Sequence, residues 1–206
     1  EALGGYLNAA TSFDKTWYMT DMPAAHWRTG MDVVKEMAFQ PSLDPKELES
    51  EKEVVISELE RDQDSPMSRL FESLQTSALQ NTVYGRPIIG FKDTIRAITA
   101  DDLRAYVRHW YQPQNMLLLV AGDIEPEAVL AYSQKLFGGL TNSGDLAETQ
   151  PISLADASGG PRVEVVHGPW NKVYMGMAFP APGLRDLRSV DLDVLCYLLG
   201  GDGTSE

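Results

Sequence analysis

Alternating and aromatic-rich positions at the start of the chain predict a β-hairpin. Residues 5–10 and 16–21 form two short runs of strand-favouring residues, and the polar stretch Ser12-Phe-Asp-Lys15 separates them. Two such runs joined by a few turn-forming residues are typical of antiparallel strands that follow each other directly. The sequence therefore predicts that the chain opens with an antiparallel strand pair.

Apolar residues then recur at intervals of three and four, which predicts a series of helices. Pro41 and Pro45 interrupt the first of them. Asp44 is a good N-cap for the next helix, because its carboxylate accepts from free N–H groups and Pro45 suits the first helical position. The predicted helices cover residues 27–38, 45–61, 66–79, 103–111, 125–137 and 187–199.

Three further apolar runs have the length of strands, at residues 116–121, 162–167 and 172–179. Paired strands mixed with long helices predict an α+β fold, in which an antiparallel or mixed sheet packs with several helices. Residues 141–160 are rich in Gly, Ser, Thr and Asp without an apolar period, which predicts a linker. We therefore expect a first domain over 1–140 and the beginning of a second over 161–206.

Charge and composition exclude several classes of function. The 206 residues carry 30 acidic and 17 basic side chains, for a net charge of −13. Such a surface repels nucleic-acid backbones and anionic lipids, and no apolar run approaches the ~20 residues that span a bilayer. Cys196 is the single cysteine, so we expect a small core residue and neither an internal disulfide nor a cysteine zinc cluster. The chain begins at Glu1 without a methionine, which indicates a piece of a longer protein.

The stretch EKEVVISE places two glutamates, Glu51 and Glu58, seven residues apart in a predicted helix. At 100° per residue they project within about 20° of each other. Leu48, Val55 and Leu59 lie on one flank, so we expect both carboxylates on the buried stripe. A buried carboxylate must be neutralised, paired or bound to a metal. The pattern leaves two interpretations open, a salt-bridged structural pair and a metal site.

Four stretches together resemble one known family. EALGGYLNAATSFDKTWY, ELESEKEVVISELERDQDSP, YGRPIIGFKDTI and LRAYVRHWYQPQNMLLLVAGDI resemble, in this order, the pitrilysin/insulinase zinc peptidases with an inverted motif, which include the mitochondrial processing peptidases. The resemblance covers residues 1–140 and continues more weakly through 161–206. It implies a half-domain of the LuxS/processing-peptidase type, the portion after the motif, followed by the start of a second similar domain.

The resemblance assigns roles to the two glutamates. It implies that Glu58 is the third protein ligand of a Zn²⁺ ion in the complete protein, and that Glu51 orients a zinc-bound histidine. The family's His-x-x-Glu-His motif, which supplies two ligands and the catalytic glutamate, is absent from this sequence; by resemblance its place lies before Glu1. We therefore expect this fragment to be inactive and to bind no zinc. The chain's own histidines are expected to be structural or surface residues: His26, His109 and His167.

The resemblance also implies a substrate site and partners. The stretch GGYLNAAT is similar to the edge strand to which a substrate adds as an extra strand, with Asn8 and Ala9 as the binding residues. The substrate would be a peptide or an unfolded polypeptide, and a second homologous half or subunit would close the chamber.

Two alternatives to a peptidase stay open, a non-catalytic partner or scaffold subunit of the same family and an unrelated acidic α+β binding module. Retention of both Glu51 and Glu58 favours the peptidase, and that interpretation depends on Glu58 facing inward. The compartment stays unassigned, with bacterial periplasm or cytoplasm favoured over the mitochondrion.

Overall fold

The computed structural model describes residues 2–80, 82–146, 161–183 and 185–201. The chain separates into two compact units. The first unit comprises residues 1–64 and 86–152, and the second comprises residues 65–85 and 153–206. Each unit has its own helices and its own packing.

The predicted hairpin is confirmed. Strand β1 (Tyr6–Thr11) pairs antiparallel with strand β2 (Thr16–Asp21) in continuous register. The N–H group of Ser12 donates to the carbonyl of Lys15 at 2.8 Å and closes the turn. In the part of the chain that the structure describes, the sheet consists of these two strands.

Seven α-helices follow within the described residues, and the predicted helices are confirmed among them with boundaries that differ by a few residues. Numbered in chain order, they are α1 (Trp27–Phe39), α2 (Pro45–Asp64), α3 (Pro66–Ala78), α4 (Lys92–Ala97), α5 (Ala100–Trp110), α6 (Pro126–Phe137) and α7 (Arg188–Cys196). Helix α4 was not predicted, because six residues are too short to show a helical period.

Helix α1 packs against β2 at a glycine. A Cβ atom at position 30 would lie 3.0 Å from both Thr20 Oγ1 and Met22 Cγ, so Gly30 permits the close approach. On its other side α1 contacts α6, where the Tyr132 hydroxyl donates to Asp32 Oδ1 at 2.8 Å. Helix α1 therefore connects β2 to the helices of the first unit.

Helices α2 and α4 enclose a small apolar core. Its buried members are Ile56, Leu59 and Ile95. Lys52 is also buried, and its Nζ donates to Glu49 Oε1 at 2.7 Å and to the carbonyl of Arg96 at 3.1 Å. Because a buried ammonium needs acceptors, these two contacts explain how a lysine occupies a core position.

The three predicted strands outside the hairpin are wrong for this structure. Residues 116–121, 162–167 and 172–179 form no strand pairing with any described segment. A strand is stabilised by the ladder of hydrogen bonds to its neighbour, and apolar content alone does not supply one. The side chains of Leu117 and Leu119 are accordingly 92% and 85% exposed.

The second unit is built around α3. Ser65 caps this helix by accepting from the N–H group of Ser68 at 3.3 Å. Gly176 lies against the helix, since a Cβ there would be 3.2 Å from a methyl group of Leu74. Cys196, expected in a core, is exposed at the end of α7 because that helix buries none of its residues.

The beginning of the predicted linker is held to the first unit. The Ser143 N–H group donates to Gln112 Oε1 at 2.8 Å, and its hydroxyl donates to the carbonyl of Arg108 at 2.7 Å. The rest of the predicted linker, residues 147–160, lies outside the described residues. The division into domains over 1–140 and 161–206 stays a prediction. Among the described helices, none is long and apolar enough to cross a membrane.

Candidate functional site

Helix α2 begins as its sequence dictates. The Lys46 N–H group donates to Asp44 Oδ1 at 2.7 Å, which confirms Asp44 as the residue that caps the helix. Glu47 lies in the first turn, where the positive end of the helix dipole favours a carboxylate. The helix is 20 residues long and carries both candidate glutamates on its middle turns.

The expected burial of the two glutamates is wrong, because both side chains are exposed. The buried stripe of α2 runs through Lys52, Ile56 and Leu59. At 100° per residue, Glu51 and Glu58 project about 100° or more away from the centre of that stripe. The sequence centred the stripe on Leu48, Val55 and Leu59 instead, since nothing in it indicates that a lysine fills the middle. The inward-facing Glu58 on which the enzymatic interpretation depended is therefore not observed.

The two glutamates nevertheless share one face of α2. Their Cα atoms are separated by about 10 Å along the axis, because each residue adds 1.5 Å. Within the described residues, neither carboxylate has a hydrogen-bond or ion-pair partner. Glu60, two residues after Glu58, differs, since its hydrogen bond and ion pair with Lys92 lower the pKa of its carboxyl. Glu51 and Glu58 are thus accessible carboxylates.

A complete zinc site is not assembled by the described part of the chain. No three side chains of His, Cys, Asp or Glu come together there in a way that holds a metal ion. A protein zinc site with an open position needs three protein ligands. The exposed Glu58 has the donor chemistry for one of them. His109 instead contacts the Trp110 ring edge-on, with 4.6 Å between ring centroids.

The free edge of β1 presents backbone groups at alternate residues. Ser12 and Lys15 form a hydrogen-bonded pair at the turn, so hydrogen-bonded and non-hydrogen-bonded pairs alternate along the ladder from there. The residues of β1 whose N–H and C=O groups point away from β2 are Leu7, Ala9 and Thr11. Within the described residues no other strand covers this edge.

Asn8 closes part of this edge with its own side chain. Its Oδ1 accepts a hydrogen bond from the Ala9 N–H group at 2.9 Å. Both residues are exposed. The structure therefore places the two residues predicted to bind substrate at the middle of the free strand.

One contact next to this edge was not predicted from the sequence. The hydroxyl groups of Tyr18 and Tyr111 lie 2.8 Å apart, although the residues are 93 positions apart in the chain. No periodicity connects residues so distant. The alternation of β2 has Trp17 and Met19 as its apolar positions and would have turned Tyr18 away from the helices, so the sequence offered no signal for this contact.

Two family models together match most of the chain. Residues 1–92 match the model described as Insulinase (Peptidase family M16), and residues 97–206 match the model described as Peptidase M16 inactive domain. The first match contains β1 and the part of α2 that carries Glu51 and Glu58.

Curated relatives are similar over nearly the whole chain. Zinc protease PqqE of Helicobacter pylori is 30% identical over 96% of this chain and 45% of its own length. The uncharacterized zinc protease YmxG of Bacillus subtilis is 31% identical over 100% of this chain and 49% of its own. A probable mitochondrial-processing peptidase subunit beta of Arabidopsis thaliana is 26% identical over 97% of this chain and 38% of its own length. The chain thus spans about half the length of these relatives, or less.

Solved structures show the same fold. A protease from Helicobacter pylori matches with a TM-score of 0.68 and 30% identity, over 73% of this chain and 36% of its own. The first half of the periplasmic protease PqqL from Escherichia coli matches with a TM-score of 0.63 and 27% identity, over 72% and 32%. The ferredoxin protease FusC in complex with Arabidopsis ferredoxin matches with a TM-score of 0.64 and 25% identity, over 70% and 16%.

Proposed function

Since the chain belongs to the insulinase (M16) family of peptidases, as its four sequence stretches indicated, we propose that it is part of a zinc-dependent endopeptidase. One observation carries this proposal, namely that the insulinase model matches the continuous stretch 1–92, with the free edge of β1 and Glu58 inside it. The relatives named zinc proteases support it. Glu58 is exposed rather than buried, so the proposal depends on the family and not on an inward-facing carboxylate.

In this proposal Glu58 is one ligand of Zn²⁺ in the complete protein. The two imidazole ligands and the catalytic glutamate belong to a His-x-x-Glu-His segment that this sequence does not contain. Bound zinc lowers the pKa of a water molecule to about 7, which supplies hydroxide at neutral pH. Glu51, about 10 Å along the same face of α2, orients one of the histidines. The exposure of both carboxylates is compatible with this, because each is accessible to a group from another segment.

The substrate is proposed to add to β1 as an extra strand. The outward-facing N–H and C=O groups of Leu7, Ala9 and Thr11 pair with main-chain groups of an extended peptide, a mode that recognises shape more than sequence. Asn8 exchanges its hydrogen bond with Ala9 for one to the peptide. We infer that peptides or unfolded polypeptides are the substrates and that a second homologous half or subunit closes the chamber. The solved complex of FusC with ferredoxin supports a polypeptide substrate.

One observation favours a second candidate, a non-catalytic partner subunit of the same family. Residues 97–206 match the model described as Peptidase M16 inactive domain. A partner subunit would retain the fold and the free edge but would neither bind zinc nor cleave peptides.

The proposal is tested on the complete protein with Glu58→Gln, Glu51→Gln and the control Glu53→Gln. Glu53 is exposed on the same helix. We expect the Glu58 variant to lose stoichiometric zinc and cleavage of a quenched fluorescent peptide, because an amide is a poor zinc ligand. The Glu51 variant should lose about 10- to 100-fold in zinc affinity or activity. The control should match the wild type.

Zinc content by mass spectrometry separates the two candidates. A Glu58→Gln protein that keeps full zinc and full activity contradicts the ligand role. A wild-type complete protein that binds no zinc and cleaves no peptide supports the partner subunit and refutes the peptidase.

A further inference from the structure

Two tyrosine hydroxyls connect the hairpin to the end of α5. Tyr18 lies in the middle of β2, and Tyr111 is the residue that follows α5. Their Oη atoms are 2.8 Å apart and their ring centroids 6.2 Å apart. Tyr18 is half-buried, whereas its neighbours Trp17 and Met19 are 50% and 47% exposed. Tyr18 therefore links the middle of β2 to the residue that follows α5.

Tyr18 stands directly behind the centre of the free edge. In the register of the hairpin it is opposite Ala9. The alternation of the ladder makes this a non-hydrogen-bonded pair, in which the Cα atoms approach to about 4.5 Å and both side chains lie on one face. The backbone groups of Ala9 point outward, so a displacement of Tyr18 moves the groups that an incoming strand would meet.

Tyr111 is well placed to hold that position. Its ring is half-buried and contacts the Tyr106 ring at 6.4 Å between centroids. Burial and the hydrogen bond with Tyr18 raise the pKa of Tyr111 above its ordinary value of 10.0, while the side chain of Thr16 acts in the opposite direction. Burial and this hydrogen bond thus both favour the protonated phenol, which can donate to or accept from the Tyr18 hydroxyl.

We propose that Tyr111, acting through Tyr18, is a positioning residue that fixes the free edge of β1 for an incoming peptide strand. The inference rests on the proposed function, because it assigns the pair a role in substrate binding. Without the bond between the two hydroxyls the hairpin retains its own ladder and its packing on α1 at Gly30. The middle of the hairpin, however, loses its polar contact with α5.

The test uses Tyr111→Phe and Tyr18→Phe in the complete protein, with Tyr132→Phe as a matched control. The control also removes one tyrosine hydroxyl, which donates to Asp32 at 2.8 Å in the same unit. We expect KM for a quenched extended peptide to rise about 3- to 10-fold in the first two variants. Their kcat and zinc content should stay near the wild type, and the double variant should be no worse than either single one.

Hydrogen exchange measures how well the amides of the hairpin are protected, without reference to activity. We expect the amides of residues 6–11 to exchange faster in Tyr111→Phe and Tyr18→Phe than in the wild type or in Tyr132→Phe. Unchanged exchange, an unchanged KM, or an equal rise of KM in the control overturns the inference. A wild-type protein that carries no zinc and does not cleave overturns the proposed function instead, and exchange then decides on the positioning alone.

Discussion

Lys52 shows that a charged side chain can belong to the buried face of α2. Its aliphatic stem lies in the core between α2 and α4, and its ammonium reaches Glu49 and the carbonyl of Arg96. Long cationic side chains commonly bury the stem and keep the charged end paired. The buried stripe of α2 thus includes this lysine together with Ile56 and Leu59, and Glu51 and Glu58 lie outside it.

Replacing Lys52 with Met is expected to destabilise the protein by about 1–2 kcal/mol. The methionine keeps the apolar stem, but it leaves the carbonyl of Arg96 without this donor. Differential scanning calorimetry on the complete protein should show a lower Tm for Lys52→Met than for Lys46→Met, whose lysine is exposed on the same helix. Equal Tm values for the two variants would contradict the argument.

This residue also marks the limit of what the sequence predicts about the site. Asn8 and Ala9 were placed correctly on a strand of the hairpin, because alternation and turn residues are local signals. The orientation of α2 was not predicted correctly, because a charged residue such as Lys52 is assigned to the surface unless its distant hydrogen-bond acceptor is known. Arg96, the acceptor here, is 44 residues away.

Among the helices, α5 has a start that is secured by reciprocal hydrogen bonds. The Thr99 N–H group and hydroxyl donate to Asp102 Oδ2 at 2.8 and 2.6 Å, and the Asp102 N–H group donates back to Thr99 Oγ1 at 3.2 Å. These bonds to the charged form lower the pKa of the Asp102 carboxyl below its ordinary value of 3.8. The cap therefore depends on an ionised aspartate.

The cap of α5 should weaken in acid. A group whose pKa is lowered by folding contributes stability above its unfolded value and loses it as the pH falls through the folded value. We expect the Tm difference between wild type and Asp102→Asn to be constant well above pH 3.8 and to shrink below it. A Tm difference for Asp102→Asn that is independent of pH would refute the role.

The contrast between confirmed and wrong elements has one physical cause. Helices and the hairpin form from contacts within a few residues, so their patterns are sufficient. The runs at 116–121 and 172–179 need a neighbouring strand that the pattern does not specify. The sequence predicts that these runs are extended and apolar, but it does not specify which strand would pair with them.

At the scale of the molecule, an apolar stripe stands exposed in the second unit. Val173, Met175 and Met177 are 93%, 80% and 73% exposed. They alternate with Tyr174 and Gly176, and Gly176 lies against α3. An extended apolar stripe of this kind is prone to self-association.

We expect the 206-residue chain to self-associate through this stripe. A triple variant, Val173→Thr with Met175→Thr and Met177→Thr, should bind less of an apolar dye and scatter less light as concentration rises. The matched control, with Ile at 173 and Leu at 175 and 177, keeps the apolar area and should behave as the wild type. Equal scattering by both triple variants would exclude the stripe as the cause.

The hydrogen bond between Asn8 and Ala9 has a consequence for the tendency of the protein to aggregate. An uncovered strand invites any extended chain, including an identical one, to form a ladder with it. The Asn8 side chain occupies the Ala9 N–H group, the donor at the centre of the strand, and so makes non-specific strand pairing less favourable. A peptide that offers a better acceptor to this N–H group can still displace the Asn8 side chain. Removing the Asn8 side-chain amide would therefore make β1 more open to pairing with identical chains, as in a fibril, as well as to pairing with a substrate peptide.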